Sequence, residues 1–273
     1  AQEYEAKINS GDPVAIAGAS TETVMLDCPE CRAEYKKNKT VFLGGFGTTA
    51  FKMICSKPIT SIAQMKGVKT RAVGSAARWV KAIGGIPVAM SPVDGVTAMQ
   101  RGALTCLHGP VPWLVSYGYM DVAKSIINFP MGTPRGLSLM AMNRKSWDSL
   151  SVAQKKVMFK HLPGASARAT VIGYMAADIE ILAQAKKRGI TIVPGGPEIG
   201  VLMAAHKKSE LTAIPKGLKK VKVKEATAKR IMAAFIKNLK KWEGLAATAG
   251  GDVGKVAALF KSQIYDRLDP AKY

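Results

Sequence analysis

The chain has 273 residues, 48% of them hydrophobic, with 40 lysines and arginines against 19 acids, a formal charge of +21. That apolar content is enough for one large core or two modest ones and excludes a disordered chain. No uninterrupted apolar run reaches the roughly 18 residues of a membrane span, and Ala1-Gln2-Glu3-Tyr4 is not a signal peptide.

Much of the charge lies in Lys216–Arg230 and Lys237–Lys241. A nucleic-acid groove interleaves aromatics or arginines with its charge; these stretches are mostly lysine and read as a solvated surface. In chain order, Val14–Ala17 reads as a short strand after the turn Gly11-Asp12-Pro13, and Pro29–Lys37 as a helix ending near Asn38. Val41–Phe46 and Phe51–Ser56 read as two apolar strands joined by Gly47-Thr48-Thr49. Ser61-Ile62-Ala63-Gln64 is a capping box for a short helix that Gly67 ends.

Three apolar runs follow, Val68–Val73, Ile86–Met90 and Ala103–His108, separated by two helix patterns. The first pattern starts after Gly74 and Ser75 and stops at Gly84-Gly85. The second has Ser91 as N-cap, Pro92 at the first helical position, Asp94 three residues after the cap, and Gly102 at its end. Strand, helix, strand, helix, strand at this spacing predicts a parallel βαβαβ unit with right-handed crossovers, and ligands of such sheets sit outside the carboxyl ends of the strands. Gly109-Pro110-Val111-Pro112-Trp113 is then a proline-stiffened loop that places an aromatic at the mouth of the cleft. Leu114–Lys124 reads as helical, and Ile126–Phe129 and Leu137–Met142 as strands around a turn-rich segment. Ser151–Gln154 is a second capping box, opening a helical stretch to about Arg188 with an interruption at Pro163-Gly164. Gly189 ends it. Ile190–Val193 reads as a strand, Pro194–Pro197 as a sharp turn, and Glu225–Ala247 as an amphipathic helix with Ile231, Phe235, Leu239 and Trp242 on one stripe.

Lys66-Gly67-Val68-Lys69-Thr70-Arg71, then Gly84-Gly85-Ile86-Pro87, then Ala98-Met99-Gln100-Arg101-Gly102 follow one another in a recognisable order and spacing. The stretch resembles the central signature of the solute-binding proteins of tripartite ATP-independent periplasmic (TRAP) transporters, the DctP-like family. It departs from that signature at Thr105-Cys106-Leu107-His108-Gly109, where the family usually has an aspartate-glycine pair and a polar or acidic ligand contact. The resemblance implies an α/β, periplasmic-binding-protein-like fold: two α/β lobes joined by hinge strands and a long connecting helix, with the ligand cleft between them. It implies that residues 1–53 are part of lobe I and 54–135 are lobe II. Residues 136–185 then return to lobe I with the connecting helix, and 186–273 pack across both. Hinges are expected near Phe51–Lys57 and Thr133–Leu137. Also implied are a cleaved signal, more of lobe I ahead of Ala1, a periplasmic location, the membrane permease subunits of a TRAP transporter as partners, and a monomer without cofactor or metal.

Arg71 is the leading candidate site residue, because its planar fork of donors holds a carboxylate through two parallel hydrogen bonds; it also matches the family's ligand-carboxylate arginine. His108 is a candidate polar contact and Trp113 an apolar or stacking wall, while Met90, Phe46 and Phe129 complete the set at strand ends. Cys106 and His108 project from the same strand face, in parallel, whereas a catalytic base must point at its nucleophile. Cys28-Pro29-Glu30-Cys31 has redox or zinc spacing, but a zinc site needs a second pair, and Cys55 and Cys106 lie far apart. In an exported protein a local disulfide or two buried thiols is the simpler expectation. Trp79, Trp147 and Trp242 read as packing, and His161 and His206 have no metal-spaced partner. One arginine placed for an anionic head group, without an acid/base pair or a phosphate loop, points to capture without conversion. The expected function is that of a TRAP solute-binding receptor for a small organic acid, with an apolar or aromatic body favoured. The alternatives are an enzyme of the same lobed class using Cys106 or the Cys28/Cys31 pair, and a basic nucleic-acid-binding protein.

Overall fold

Two separate sheets divide the chain. The computed structural model describes residues 11–218 and 223–273; the expectation for Ala1–Tyr4 and part of that for Lys216–Arg230 lie outside them. Strand β1 (Thr40–Gly47) pairs antiparallel with β7 (Arg135–Asn143) in a two-stranded sheet. The second sheet has the order β4-β3-β5-β2-β6-β8, formed by β2 (Lys52–Cys55), β3 (Lys69–Arg71), β4 (Ile86–Val88), β5 (Cys106–Gly109), β6 (Ser125–Ile127) and β8 (Thr191–Val193). Strand β3 lies parallel to both β4 and β5, so the predicted βαβαβ unit is present. Its helices are α3 (Ser75–Ala82) and α4 (Pro92–Gln100), and the left-handed glycines Gly84 (φ 81°) and Gly102 (φ 70°) turn the chain where they stop.

Period-two alternation sorts the six-stranded sheet's side chains between two cores. Met53, Cys55, Cys106 and Ile127 face one, with Trp79 and Met203 among their neighbours. Ile54, Leu107 and Ile126 face the other, with Leu114, Tyr119, Ile181 and Ala185. A third core, around Phe42, Trp147, Phe235, Trp242 and Phe260, belongs to the two-stranded sheet and its helices.

The chain passes between these bodies at residues 48–51 and 128–134. The two passages run side by side: the Thr48 amide donates to the Pro134 carbonyl (3.0 Å), the Phe51 amide to Gly132 (2.7 Å) and the Met131 amide to Phe51 (2.9 Å). A long helical strut crosses as well, made of α7 (Val152–Thr170), a π-helical segment Val171–Ala176 and α8 (Ala177–Lys187). Its early residues Phe159, Leu162 and Ala167 belong to the core of the two-stranded sheet, and Ile181 and Ala185 to that of the six-stranded one.

Three sequence expectations need correction. Val14–Ala17 is helical, inside α1 (Pro13–Glu22), where the Asp12 carboxylate accepts from the Val14 and Ala15 amides (2.8 and 2.9 Å) and Pro13 opens the first turn. Every residue of α1 is buried, so it lacks the one-sided period that separates a helix from a short strand. The helix α7 runs unbroken through Pro163, whose local cost of about 3 kcal/mol is outweighed by the burial of Phe159, Leu162 and Ala167. Leu114–Lys124 is no single helix: α5 (Trp113–Ser116) ends before Gly118 (φ 79°), and a 3₁₀ turn follows at Tyr119–Asp121. Among the described residues three helices had no sequence expectation, α6 (Arg144–Asp148), α9 (Glu198–Leu218) and the last one, Val253–Gln263; Glu225–Ala249, labelled α10, matches its predicted span closely.

Candidate functional site

A cavity of about 510 Å³ opens where the carboxyl ends of β3 and β5 meet the other body. Arg71, His108 and Trp113 line it from the six-stranded side; Phe46, Gly136 and Tyr174 line it from β1, β7 and the π segment of the strut. Phe51 sits at the passage between them. Of the sequence candidates, Arg71, His108, Trp113 and Phe46 are thus brought to one wall system. Met90 and Phe129 do not line the cavity and pack against the two cores of the six-stranded sheet.

Arg71 is 6% exposed. Its Nε donates to the Met90 carbonyl at 2.9 Å, so Met90 serves the site through its backbone by fixing the plane of the guanidinium. The two Nη groups have no hydrogen-bond partner among the described residues. The guanidinium carbon lies 5.5 Å from the centre of the Trp113 ring, within cation–π range. Burial alone lowers the basicity of Arg71, yet a guanidinium stays charged. Below it, the Tyr119 hydroxyl donates to the Pro92 carbonyl (2.6 Å), and burial pushes its pKa up to about 12, so it adds no negative charge.

The cavity walls are aromatic. Phe46 and Tyr174 stack at 5.3 Å on one side, Trp113 and Tyr117 meet edge-on at 5.3 Å on the other, and Phe51 contacts Trp113 at 5.4 Å. Gly109 makes room for this: a Cβ there would stand 2.7 Å from the Trp113 ring. Gly136 does the same opposite, where a Cβ would stand 1.8 Å from Phe46. His108 is 2% exposed, meets Phe51 edge-on at 5.4 Å, and neither ring nitrogen has a partner among the described residues. Burial, then the fields of Arg71 and His206, lower its pKa to about 3, so it is neutral at physiological pH.

Among the described residues that line the cavity there is no Asp or Glu, while Arg71 and Lys207 are present. A carboxylate meets attraction there and no repulsion. Sequence reasoning missed Tyr117, Tyr174, Met203, His206 and Lys207 as lining residues, and took Trp79, which also lines it, as packing only. The strut's π segment and α9 bring four of them in from more than 60 positions beyond the βαβαβ unit, so no local signal marked them.

The cysteines lie elsewhere. Cys28 pairs with Cys31, and Cys55 with Cys106 across directly opposed positions of β2 and β5, with Cα atoms 4.1 Å apart. Cys106 therefore offers no free thiol beside His108, contrary to what the cysteine-enzyme alternative required.

The family model for bacterial extracellular solute-binding protein, family 7 (DctP), matches residues 25–211. No curated protein matches the chain. Among solved structures, the chain is similar to a TRAP periplasmic solute-binding protein from Bordetella bronchiseptica with bound (R)- and (S)-mandelate. The identity is 19% over 85% of this chain and 73% of that one, with a TM-score of 0.67. A marine metagenome TRAP protein specific for aromatic acid ligands, in complex with metahydroxyphenylacetate, matches at 17% identity over 88% and 76%, TM-score 0.69. A Bordetella pertussis extracytoplasmic solute receptor binding pyroglutamic acid matches at 17% over 84% and 74%, TM-score 0.63. At these identities the likeness is one of fold.

Proposed function

Because this chain belongs to the bacterial extracellular solute-binding proteins of family 7, we propose that it is the periplasmic receptor of a TRAP-type secondary transporter. In this reading it holds a small organic acid by its carboxylate on Arg71 and delivers it to the membrane permease. The observation that carries the reading is the state of Arg71: buried, fixed at Nε by the Met90 carbonyl, with neither Nη group partnered among the described residues, on the wall of a cavity whose described lining holds no acid. A carboxylate that enters loses its hydration, and the fork replaces two of those hydrogen bonds at once.

The aromatic rings of Phe46, Phe51, Trp113, Tyr117 and Tyr174 favour an acid with a flat or apolar body over a small dicarboxylate, since such a body gains by burial against rings and needs no second cation. The acids named for similar structures, mandelate and metahydroxyphenylacetate, have that form. In this reading the ligand leaves as it came.

Mass spectrometry of what co-purifies, followed by calorimetric titration of wild type and Arg71→Ala with that acid, tests the reading. Arg71→Ala leaves the carboxylate desolvated and unpaired, an expected loss of about 3–5 kcal/mol. Wild-type affinity in Arg71→Ala would remove Arg71 from the site.

A further inference from the structure

We propose that His108 is a specificity-determining contact that pairs with a hydroxyl on the carbon next to the ligand's carboxylate, so that the cavity selects 2-hydroxy acids over the same acids without the hydroxyl. The proposal rests on the reading of Arg71 as the carboxylate contact and adds to it the chemistry of the neighbouring atom.

His108 is a cavity-lining side chain, 2% exposed, with both ring nitrogens buried and unpartnered among the described residues. Buried polar groups in folded proteins nearly always have a partner, so a side chain with two that lack one, on the wall of a ligand cavity, is placed for a partner that arrives with the ligand. The ring is held in place: Phe51 meets it edge-on at 5.4 Å, with the planes 77° apart.

The type of group follows from charge. A neutral imidazole presents one N–H and one lone pair, and burial together with the field of Arg71 keeps His108 neutral. A second carboxylate would gain little from a neutral ring. A hydroxyl, donor and acceptor in one atom, pairs with either nitrogen.

The location follows from register. Arg71 and Leu107 are paired positions on neighbouring strands, so His108 is one residue further on, and alternation sends it to the opposite face. The two side chains therefore come to the same carboxyl end of the sheet from its two faces. Trp113 and Phe51 join them: the Arg71 guanidinium lies 5.5 Å from the Trp113 ring, Trp113 lies 5.4 Å from Phe51, and Phe51 lies 5.4 Å from His108. For a ligand whose carboxylate is on Arg71 and whose body lies against these rings, the substituent of the first carbon is the group assigned to His108.

Mandelate and phenylacetate, which differ by that one hydroxyl, are the probes. Titration of the full chain is expected to show mandelate binding more tightly by roughly tenfold to a hundredfold. In His108→Leu the ratio should shrink to within about threefold. In His108→Gln, which restores a donor and an acceptor, part of the preference should return; this variant decides the matter if the leucine protein does not fold. A wild type without preference, a preference that survives His108→Leu, or binding of neither acid overturns the proposal. Loss of phenylacetate binding in Arg71→Ala, measured in parallel, reports on the carboxylate contact alone, so the two readings fail separately.

Discussion

Among the described residues Arg71 makes one hydrogen bond, through Nε to the Met90 carbonyl, and this bond fixes the direction of the rest of its fork. A lysine keeps the charge but has neither the Nε anchor nor the paired donors. Arg71→Lys should therefore lose a substantial part of the affinity for the co-purified acid, though less than Arg71→Ala; calorimetry that finds lysine equal to arginine would make the contact one of charge alone. His108 gives a prediction of a different kind. Its pKa in the folded chain is about 3, against an ordinary 6.5, because burial and Arg71 disfavour the charged ring. The sign follows directly: the fold favours the neutral form, so the contribution is complete above the unfolded pKa and is lost as pH falls from 6.5 towards 3. At pH 4 the unfolded chain gains a proton that the folded chain resists, a difference of about 3 kcal/mol. Urea unfolding at pH 7 and pH 4 should show wild type losing about that much more than His108→Gln, whose amide does not titrate. Equal losses in the two proteins would mean that His108 protonates in place.

The elements around these residues were legible to different degrees, and the reason is the range over which each is specified. The βαβαβ unit was readable in full because its signals are local: the Ser91 cap, Pro92, and the glycines Gly84 and Gly102 mark boundaries that the structure keeps. The helix α1 was not, since a helix buried on all sides has no polar face to give it a period. Arg71 and His108 were readable as strand-end residues, while Tyr174 and Lys207 depend on how the strut and α9 return to the sheet, which is a matter of tertiary packing. The Cys55–Cys106 disulfide belongs with these: 51 positions separate the two in sequence, and only the antiparallel pairing of β2 with β5 makes them opposite one another. Closing a loop of that size restricts the unfolded chain by about 4 kcal/mol in the chain-entropy account. A Cys55→Ser/Cys106→Ser double variant should lose stability on that scale in thermal or urea unfolding. It should still bind the acid, because neither cysteine is among the residues that line the cavity. Loss of binding in a protein that remains folded would show that the bridge sets the position of His108, two residues on.

At the scale of the whole molecule, the cavity belongs to neither body alone. Phe46, Gly136 and Tyr174 come from one side, and Arg71, His108 and Trp113 from the other. A ligand held on Arg71 that also touches Phe46 and Tyr174 makes contacts with both sides only when they are close, so it binds the closed arrangement more tightly than the open one and shifts the population towards it. The passages at residues 48–51 and 128–134 are suited to this: the hydrogen bonds of Thr48 to Pro134 and of Phe51 to Gly132 and Met131 make them one ribbon, which bends as a unit. The strut adds a third tie, where Asp178 of α8 accepts from the Thr49 hydroxyl at 2.5 Å and faces the Lys52 ammonium at 3.5 Å, beside the same ribbon. In the proposed reading, hinging there would close the two walls over the carboxylate and remove water from its pairing with Arg71, which would strengthen the attraction. Small-angle scattering should then show a smaller radius of gyration at saturating acid than without it. The decisive comparison is with Arg71→Ala at an acid concentration that saturates the wild type: without the carboxylate contact the acid has less to gain from closure, and the contraction should be absent or much reduced. A wild-type radius that does not change at saturation would mean that the two bodies already stand at their bound spacing, and that capture by this receptor proceeds without closure.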